Sequence, residues 1–458
     1  MKITSFFLAM FIIFSINGCA PKSAMMKVDK LIAKGQYKKA ALSAQGNLDK
    51  SDIYGRNNLL WKLESGSAFS YDEDYNQSIK AFNDSEMLMK YYREQILAKD
   101  VAQTLSSLLV NDTTRPYIGT EYDGIMVNTY KAIDYMAKED MDGARVEFNR
   151  AIDRQRRAKI FFAQMIQKEK EAIDKKEQES ASEGKNLSVS NELIDEKLLQ
   201  NYPSLHDFEP YPDFVNPTTT YLAGLFAKAN GDGSKSEYLL KEAYGMMPKS
   251  EAVKADFLQK NYDKTVWLIF ENGQAPILKE WRIDFPIWIF SSHLSYISLA
   301  LPKLVQRDIA WPYLNVRFDD NSTIKTEFLS SMDRVIKTEF LKSYSSIVHR
   351  AILSTATKTA INYALEQKSN GSNGAELVRF IAAVYQIAST QADTRIYSTL
   401  PKEFQVARFK RPTNGVINIT TPNNILVKDI TLPDAKNILI YVKIATPYAL
   451  ASVRVIPF

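Results

Sequence analysis

The sequence predicts a mainly α protein: an α-solenoid of helical repeats, followed by an α+β region and a small C-terminal β unit. Three observations lead there. Between Met25 and about Ile173, apolar and small residues return at three- and four-residue spacing, the period of helices buried along one face. A pattern of aromatics beside small residues recurs several times, as stacked helix pairs require. After Lys260 the period shortens, and compact β-branched and aromatic runs alternate with turn-forming Asn, Asp and Gly. Hydrophobic residues are 45% and charged residues 24% of 458, close to globular averages, which favours neither global disorder nor a multi-span membrane protein. The length sets a prior of about three domains. The net charge of +5 spreads over 58 basic and 53 acidic residues without a long basic block, so no nucleic-acid footprint is present.

At the N-terminus, Met1-Lys2 supplies a positive start, Phe6–Ile16 is apolar apart from Ser15, and Ile16-Asn17-Gly18-Cys19 closes the run. The run is well short of the ~20 residues that span a bilayer as a helix, so residues 1–18 read as a removable lipoprotein signal peptide. Cys19 is the only cysteine. It can form no intrachain disulfide, and it reads as the acylated first residue of the mature chain, with 19–24 as the lipid-anchored tether. Export then places the chain in the cell envelope. Ala20, where aspartate would signal retention by the sorting habit of enteric lipoproteins, points to the outer membrane, facing the periplasm.

Residues 25–175 carry the repeats. Gly35-Gln36-Tyr37-Lys38-Lys39-Ala40 has the turn, aromatic and small residue of a helix pair, and Tyr75 repeats Tyr37. In that second copy Trp61, Gly66 and Phe69 fall on the first helix, Asp74-Tyr75 on the turn, and Ile79, Phe82 and Ser85 on the second helix. A third copy places Phe148 between Ala144 and Ala151, after Tyr130 and Tyr135. A fourth, in residues 218–260, sets Tyr221, Gly224 and Phe226 before Asn230-Gly231-Asp232-Gly233, with Leu240, Ala243 and Pro248 after. Small residues let two helices approach, and aromatics fill the groove beside them. Together the four copies resemble the tetratricopeptide-repeat family over roughly half the chain. An irregular helical bundle is the competing reading.

Between the repeats, residues 176–217 divide into a polar, mobile loop at about 177–193 and a strap, Asn201–Pro217, that interleaves four prolines with Tyr202, Phe208, Tyr211 and Phe214. The strap reads as packing on the protein's own surface, with a proline-motif ligand as the alternative. In 261–410, Thr265–Phe270 is a strand ending at the turn Glu271-Asn272-Gly273, and Leu314–Phe318 and Thr323–Phe328 form a hairpin around Asp319-Asp320-Asn321-Ser322. Helices are expected from Ser331 to about Gln367 and over Ala375–Ser389. Residues 411–458 hold four short strands, at Val416–Ile419, Ile425–Val427, Ile438–Val442 and Val453–Val455, read as a separate β unit.

Chemistry-bearing motifs are few. His206, His293 and His349 lack ligand spacing, so no metal is expected, and no nucleotide, hydrolase or dinucleotide fingerprint implies a cofactor. Asp72-Glu73-Asp74 and Asp319-Asp320-Asn321 read as solvated turns, because neither has the spaced oxygen ligands of a calcium loop. No catalytic residue is assigned. Asp393-Thr394-Arg395, followed by Leu400-Pro401, is the distinctive late feature; Asp393 and Arg395 are either a structural ion pair holding a loop or a ligand contact. Together with Glu271-Asn272-Gly273 and the stretch from Arg350 to Lys358, it resembles a widespread family of uncharacterised bacterial lipoproteins that join helical repeats to a mixed C-terminal region. Tyr397 stands where that family has tryptophan. The resemblance implies an envelope protein often associated with the machinery of cell-wall synthesis. The expected function is a lipid-anchored envelope scaffold, not an enzyme, that binds a protein or peptide partner through its repeats. The alternative is a cell-wall hydrolase or transferase using carboxylates of the C-terminal region.

Overall fold

The computed structural model describes residues 22–99, 115–182, 211, 215–259, 262–286, 296–344, 346–348, 350–351 and 391–458. Residues 1–18, expected to be a signal peptide, Cys19, the three histidines, most of the expected strap and the expected helix Ala375–Ser389 lie outside these residues.

Helices come in pairs. α1 (22–32) and α2 (Tyr37–Gln45) meet at Gly35; α3 (Asn58–Tyr71) and α4 (Tyr75–Ala98) flank Asp72-Glu73-Asp74. α5 (Glu121–Ala137) and α6 (Met141–Ser182) follow, then α7 (Pro217–Ala229), α8 (Gly233–Met246) and the short α9 (Glu251–Leu258). Local sequence starts five of them: Asp74, Asp232 and Ser250 accept hydrogen bonds from the first turn, Thr120 and Asp123 form a capping box, and Asn216 caps α7 ahead of Pro217. α6 is 42 residues long and continues through Ser182, so the residues at 176–182 expected to begin a loop are helical.

Strands make three sheets. The first is five-stranded, in the order β11 (Ser452–Pro457), β10 (Asn437–Ile444), β1 (Thr265–Asn272), β7 (Glu403–Lys410), β6 (Glu327–Ser331). β1 and β10 are parallel, and the other pairs are antiparallel. The second, four-stranded, runs β5 (Thr323–Lys325), β4 (Asn315–Arg317), β8 (Val416–Thr420), β9 (Leu426–Thr431). β2 (Ile277–Pro286) and β3 (Tyr296–Val305) form an antiparallel ribbon. A further helix, α10, spans 332–344, with 346–348 and 350–351 also helical.

The arrangement corrects the expected fold class. The protein is a mixed α+β structure, roughly half helix and a fifth strand, not a mainly α solenoid with an appended β unit. The tail strands divide between the two larger sheets and interleave with strands from 265–331. Every residue of β1 and β10 is buried, as befits strands covered on both faces. Trp267, Ile269, Phe404, Val406, Leu439 and Tyr441 join the core shared with the helices. Val266, Leu268, Phe270, Ile438 and Ile440 pack with Val316, Ile417, Ile419 and Ile430 of the four-stranded sheet. The layers are therefore helices, central sheet, second sheet.

The reason the solenoid fails lies in α3 and α5. All of α3 except Lys62 is buried, and so are fifteen of the seventeen residues of α5. A helix enclosed all round is interior. The helix pairs exist, but the surface that would be a solenoid's open groove is filled by the central sheet.

Candidate functional site

The repeat residues chosen from sequence mostly pack helices. Tyr37, Ala40, Phe82, Ala144, Phe148, Ala151 and Ala243 are buried. A Cβ on Gly66 would stand 2.6 Å from the Phe82 ring, and one on Gly224 2.9 Å from Leu240 Cδ2, so both glycines exist for close helix contact. Phe148 meets Phe226 with ring centroids 5.2 Å apart, joining the third pair to the fourth. Tyr75 is half-buried, and Pro248 is exposed after α8 and packs no helix pair.

Glu271 and Asn272 hold the structure together. Asn272 accepts from the backbone N–H of Ala310 and Trp311 and donates to Trp311 O and Glu403 Oε1, which fixes the 310–311 loop against β1. Glu271 points into a polar seam between the central sheet and the helices. Tyr441 Oη donates to it at 2.5 Å, and Lys443 Nζ lies 3.7 Å from its other oxygen while donating to Gly273 O at 3.0 Å. Burial lowers the Lys443 ammonium to about 8, with Glu271 acting the other way. Above it, Tyr71 and Tyr130 share a hydrogen bond of 2.8 Å. Farther along, Arg454 Nη1 reaches Ser70 Oγ at 2.9 Å and Asp134 Oδ1 at 3.2 Å, while Ser70 and Ser78 each donate to Asp134 at 2.6 Å. The seam's buried contacts tie the helical layer to the sheet.

Asp393 and Arg395 lie instead in the wall of a cavity of about 300 Å³. It opens where the second half of α4, residues 115–122, the middle of α6, α10, the base of the β2–β3 ribbon and residues 391–396 converge. Met89, Ile96, Phe162, Met165, Ile166 and Phe340 line it, and Leu278, Pro302 and Leu304 bring the ribbon in. Its charged lining is five arginines, Arg93, Arg115, Arg154, Arg350 and Arg395, against Glu121, Glu339 and Asp393.

Each of the three carboxylates is engaged. Both oxygens of Glu339 accept from the N-terminus of α5: Glu121 N at 2.9 and 3.1 Å, and Tyr122 N at 3.3 Å. Burial, and next the charge of Glu121, push the Glu339 carboxyl well above the usual range. Glu121 is also raised by burial, against the pull of Arg93, whose Nη2 lies 2.6 Å away. The same guanidinium stacks 3.8 Å from the Phe161 ring centroid and so ties α4 to α6. Asp393 takes a fork from Arg395, Nε at 2.8 Å and Nη2 at 2.5 Å, and Arg395 also reaches Asn57 Oδ1 at 3.0 Å. The geometry is an ion pair that fastens residues 391–396 to the start of α3, and that fastening forms part of the cavity wall.

Arg154 is fixed from behind. It donates to Asn128 Oδ1 at 2.6 Å and to Glu86 Oε1 at 2.9 Å, passing so close to Gly124 that a Cβ there would stand 2.8 Å from Nη1. Burial would raise Glu86, but Lys131 and Arg154 outweigh it and hold the carboxyl at about 2. Lys131 also pairs with Glu147 at 2.9 Å, which closes a buried charge network across α4, α5 and α6.

Sequence reasoning missed Glu339, Glu121, Arg93 and Arg154. Glu339 and the N–H groups it caps are 218 residues apart, and no local pattern links them. The Thr120-x-x-Asp123 capping box was the one available signal, since it marks where α5 begins. With the geometry in place, comparison with protein-family models, curated proteins and solved structures returned no match to this chain.

Proposed function

We propose that this chain is a lipid-anchored protein of the cell envelope that holds a protein or peptide partner, an apolar segment of which enters the cavity at the N-terminus of α5. The observation that carries this reading is the make-up of the cavity. Its lining is mostly apolar, as in binding sites of its size, which suits the entry of an apolar segment. The anchor rests on the Phe6–Ile16 run and the lone Cys19; the outer membrane rests on Ala20. A place near cell-wall synthesis or envelope assembly rests on the resemblance around Asp393-Thr394-Arg395. No cofactor is invoked.

Hydrolysis or transfer by two facing carboxylates is the weaker reading. It needs one carboxyl free to give a proton and another free to attack or to activate water. Glu339 commits both oxygens to the N–H groups of α5, and Asp393 commits both to Arg395. The test is a photocrosslinking residue at Ser343, in the cavity wall, with exposed Tyr238 on α8 as control. A discrete protein or peptide adduct from position 343 alone is expected, abolished by a second change, Ile166→Trp, that fills the cavity. Adducts identical from both positions, or none from 343, would overturn the assignment.

A further inference from the structure

The side of α1 turned away from the core carries a second arrangement that the cavity does not use. We infer that this face, with the β10–β11 loop beside it, is a contact surface for the anionic headgroups of the leaflet that holds the lipid anchor. The inference rests on the lipid-anchor reading above and adds to it how the body sits on the membrane.

α1 divides cleanly by exposure. Val28 and Ile32 are buried in the main core, at 1% and 0%. Lys22, Lys27, Lys30 and Lys34 are all exposed, and Met26 among them is 51% exposed. The only acidic residue among the described residues 22–32, Asp29, is taken up by Arg307 at 3.1 Å, so it does not offset the lysines. A basic face with one exposed methionine matches a helix that lies in the headgroup plane.

Chain length supplies the occupant. From Cys19 to Lys22 the backbone can extend about 10 Å, and α1 itself is about 16 Å long, so its lysines cannot leave the neighbourhood of an anchored bilayer. The far end of α1 is extended by the β10–β11 loop: Thr446 Oγ1 donates to Ala33 O at 2.6 Å and Leu450 N to Lys34 O at 3.4 Å. Gly35, at φ +68, permits that approach, since a Cβ there would lie 2.4 Å from Leu450 backbone atoms. The loop leaves Tyr448 93% and Leu450 70% exposed. An exposed tyrosine and leucine beside lysines is the combination that settles at a membrane interface, with the ring at headgroup level and the amines on lipid phosphates.

The test uses the full lipidated chain with Met26→Cys carrying an environment-sensitive dye, on vesicles of phosphatidylcholine alone or mixed with phosphatidylglycerol, with a nitroxide quencher at headgroup depth. Quenching is expected to be several-fold stronger on the anionic vesicles and to fall to the neutral level in about 0.5 M salt. Lys22→Gln, Lys27→Gln and Lys30→Gln together should weaken the headgroup contact on the order of a hundredfold. Flotation of the chain with vesicles reports the anchor separately. A chain that floats on both vesicle types with equal quenching, or whose quenching survives the triple change, overturns the headgroup contact and leaves the anchor standing. A chain that floats on neither overturns the anchor, and the contact falls with it.

Discussion

Glu64 offers the most discriminating test of how the helical layer is joined to the stretch that leads into β7. It lies on α3, 1% exposed, and its Oε1 accepts from Ser398 N at 2.7 Å and Ser398 Oγ at 2.9 Å. Burial, and then the charge of Asp29, raise its carboxyl from the ordinary 4.5 to about 7. The sign follows from proton binding. Between those two values the folded chain holds a proton that the unfolded chain has lost, so stability declines as pH rises from about 4.5 through about 7. Each pH unit across that window costs about 1.4 kcal/mol, which makes the whole contribution roughly 3 kcal/mol. Glu64→Gln keeps an acceptor for Ser398 and removes the charge. Urea unfolding of both chains at pH 5 and pH 8 isolates the effect, because every other titrating group is common to them. The variant should equal the parent within about 1 kcal/mol at pH 5 and exceed it by about 2–3 kcal/mol at pH 8. Equal pH slopes for the two chains would refute the reasoning.

Other perturbations address packing, the polar seam and the anchor. Gly66→Ala forces a methyl group into the Phe82 ring at 2.6 Å and should cost about 1–3 kcal/mol, and Phe148→Ala should cost about 3–5 kcal/mol; thermal melts showing either no worse than Arg145→Ala on the exposed face of α6 would remove the assigned helix contacts. Arg454→Met strands buried Asp134, with an expected loss of about 3–5 kcal/mol that Arg454→Met with Asp134→Leu partly restores; a double variant no better than the single would argue against the pair. Cys19→Ala should accumulate as an unprocessed or soluble form in detergent phase partitioning, and an equally membrane-bound variant would rule out the lipid anchor.

What the sequence made legible was local. Period and turn chemistry located the helix pairs, the 265–270 strand, the hairpin around Asp319–Ser322 and the four tail strands, because each is written in adjacent residues. Partnership between strands was not legible. β1 pairs with β10 in parallel across some 170 residues, and nothing in Ile438–Val442 names Thr265–Asn272 as its neighbour. The ribbon β2–β3 and strand β7 left no reading at all, since β7, Glu403–Lys410, mixes charged and apolar residues according to which layer it meets. Arg408 in that strand faces Asp256 at 2.6 Å, and Gln405 faces Thr326. The solenoid reading failed for a related reason. A helix-pair pattern specifies the contact between its two helices and is silent on what covers the opposite surface. Buried Ser65, Ser67 and Ser70 on α3 were the clue, because small polar residues on a repeat's open side have no need to be enclosed.

α5 connects the two polar regions that sequence did not reveal. Its first turn meets the cavity through the N–H groups that hold Glu339, and thirteen residues on, Asp134 meets Arg454 of the sheet. Its cap, its Lys131 pair and its enclosure leave it no freedom to shift without breaking buried ionic contacts, each expensive to break alone. Arg154, threaded past Gly124, is held to the same helix through Asn128. One wall of the cavity is therefore held by buried contacts, so a segment bound there as proposed would forfeit its own freedom but little of the protein's. A partner recognised there should bind without reshaping α5, and differences in affinity among partner segments should arise from how their apolar groups fill the α6 and ribbon sides, where Phe162, Ile166 and Leu304 supply the lining.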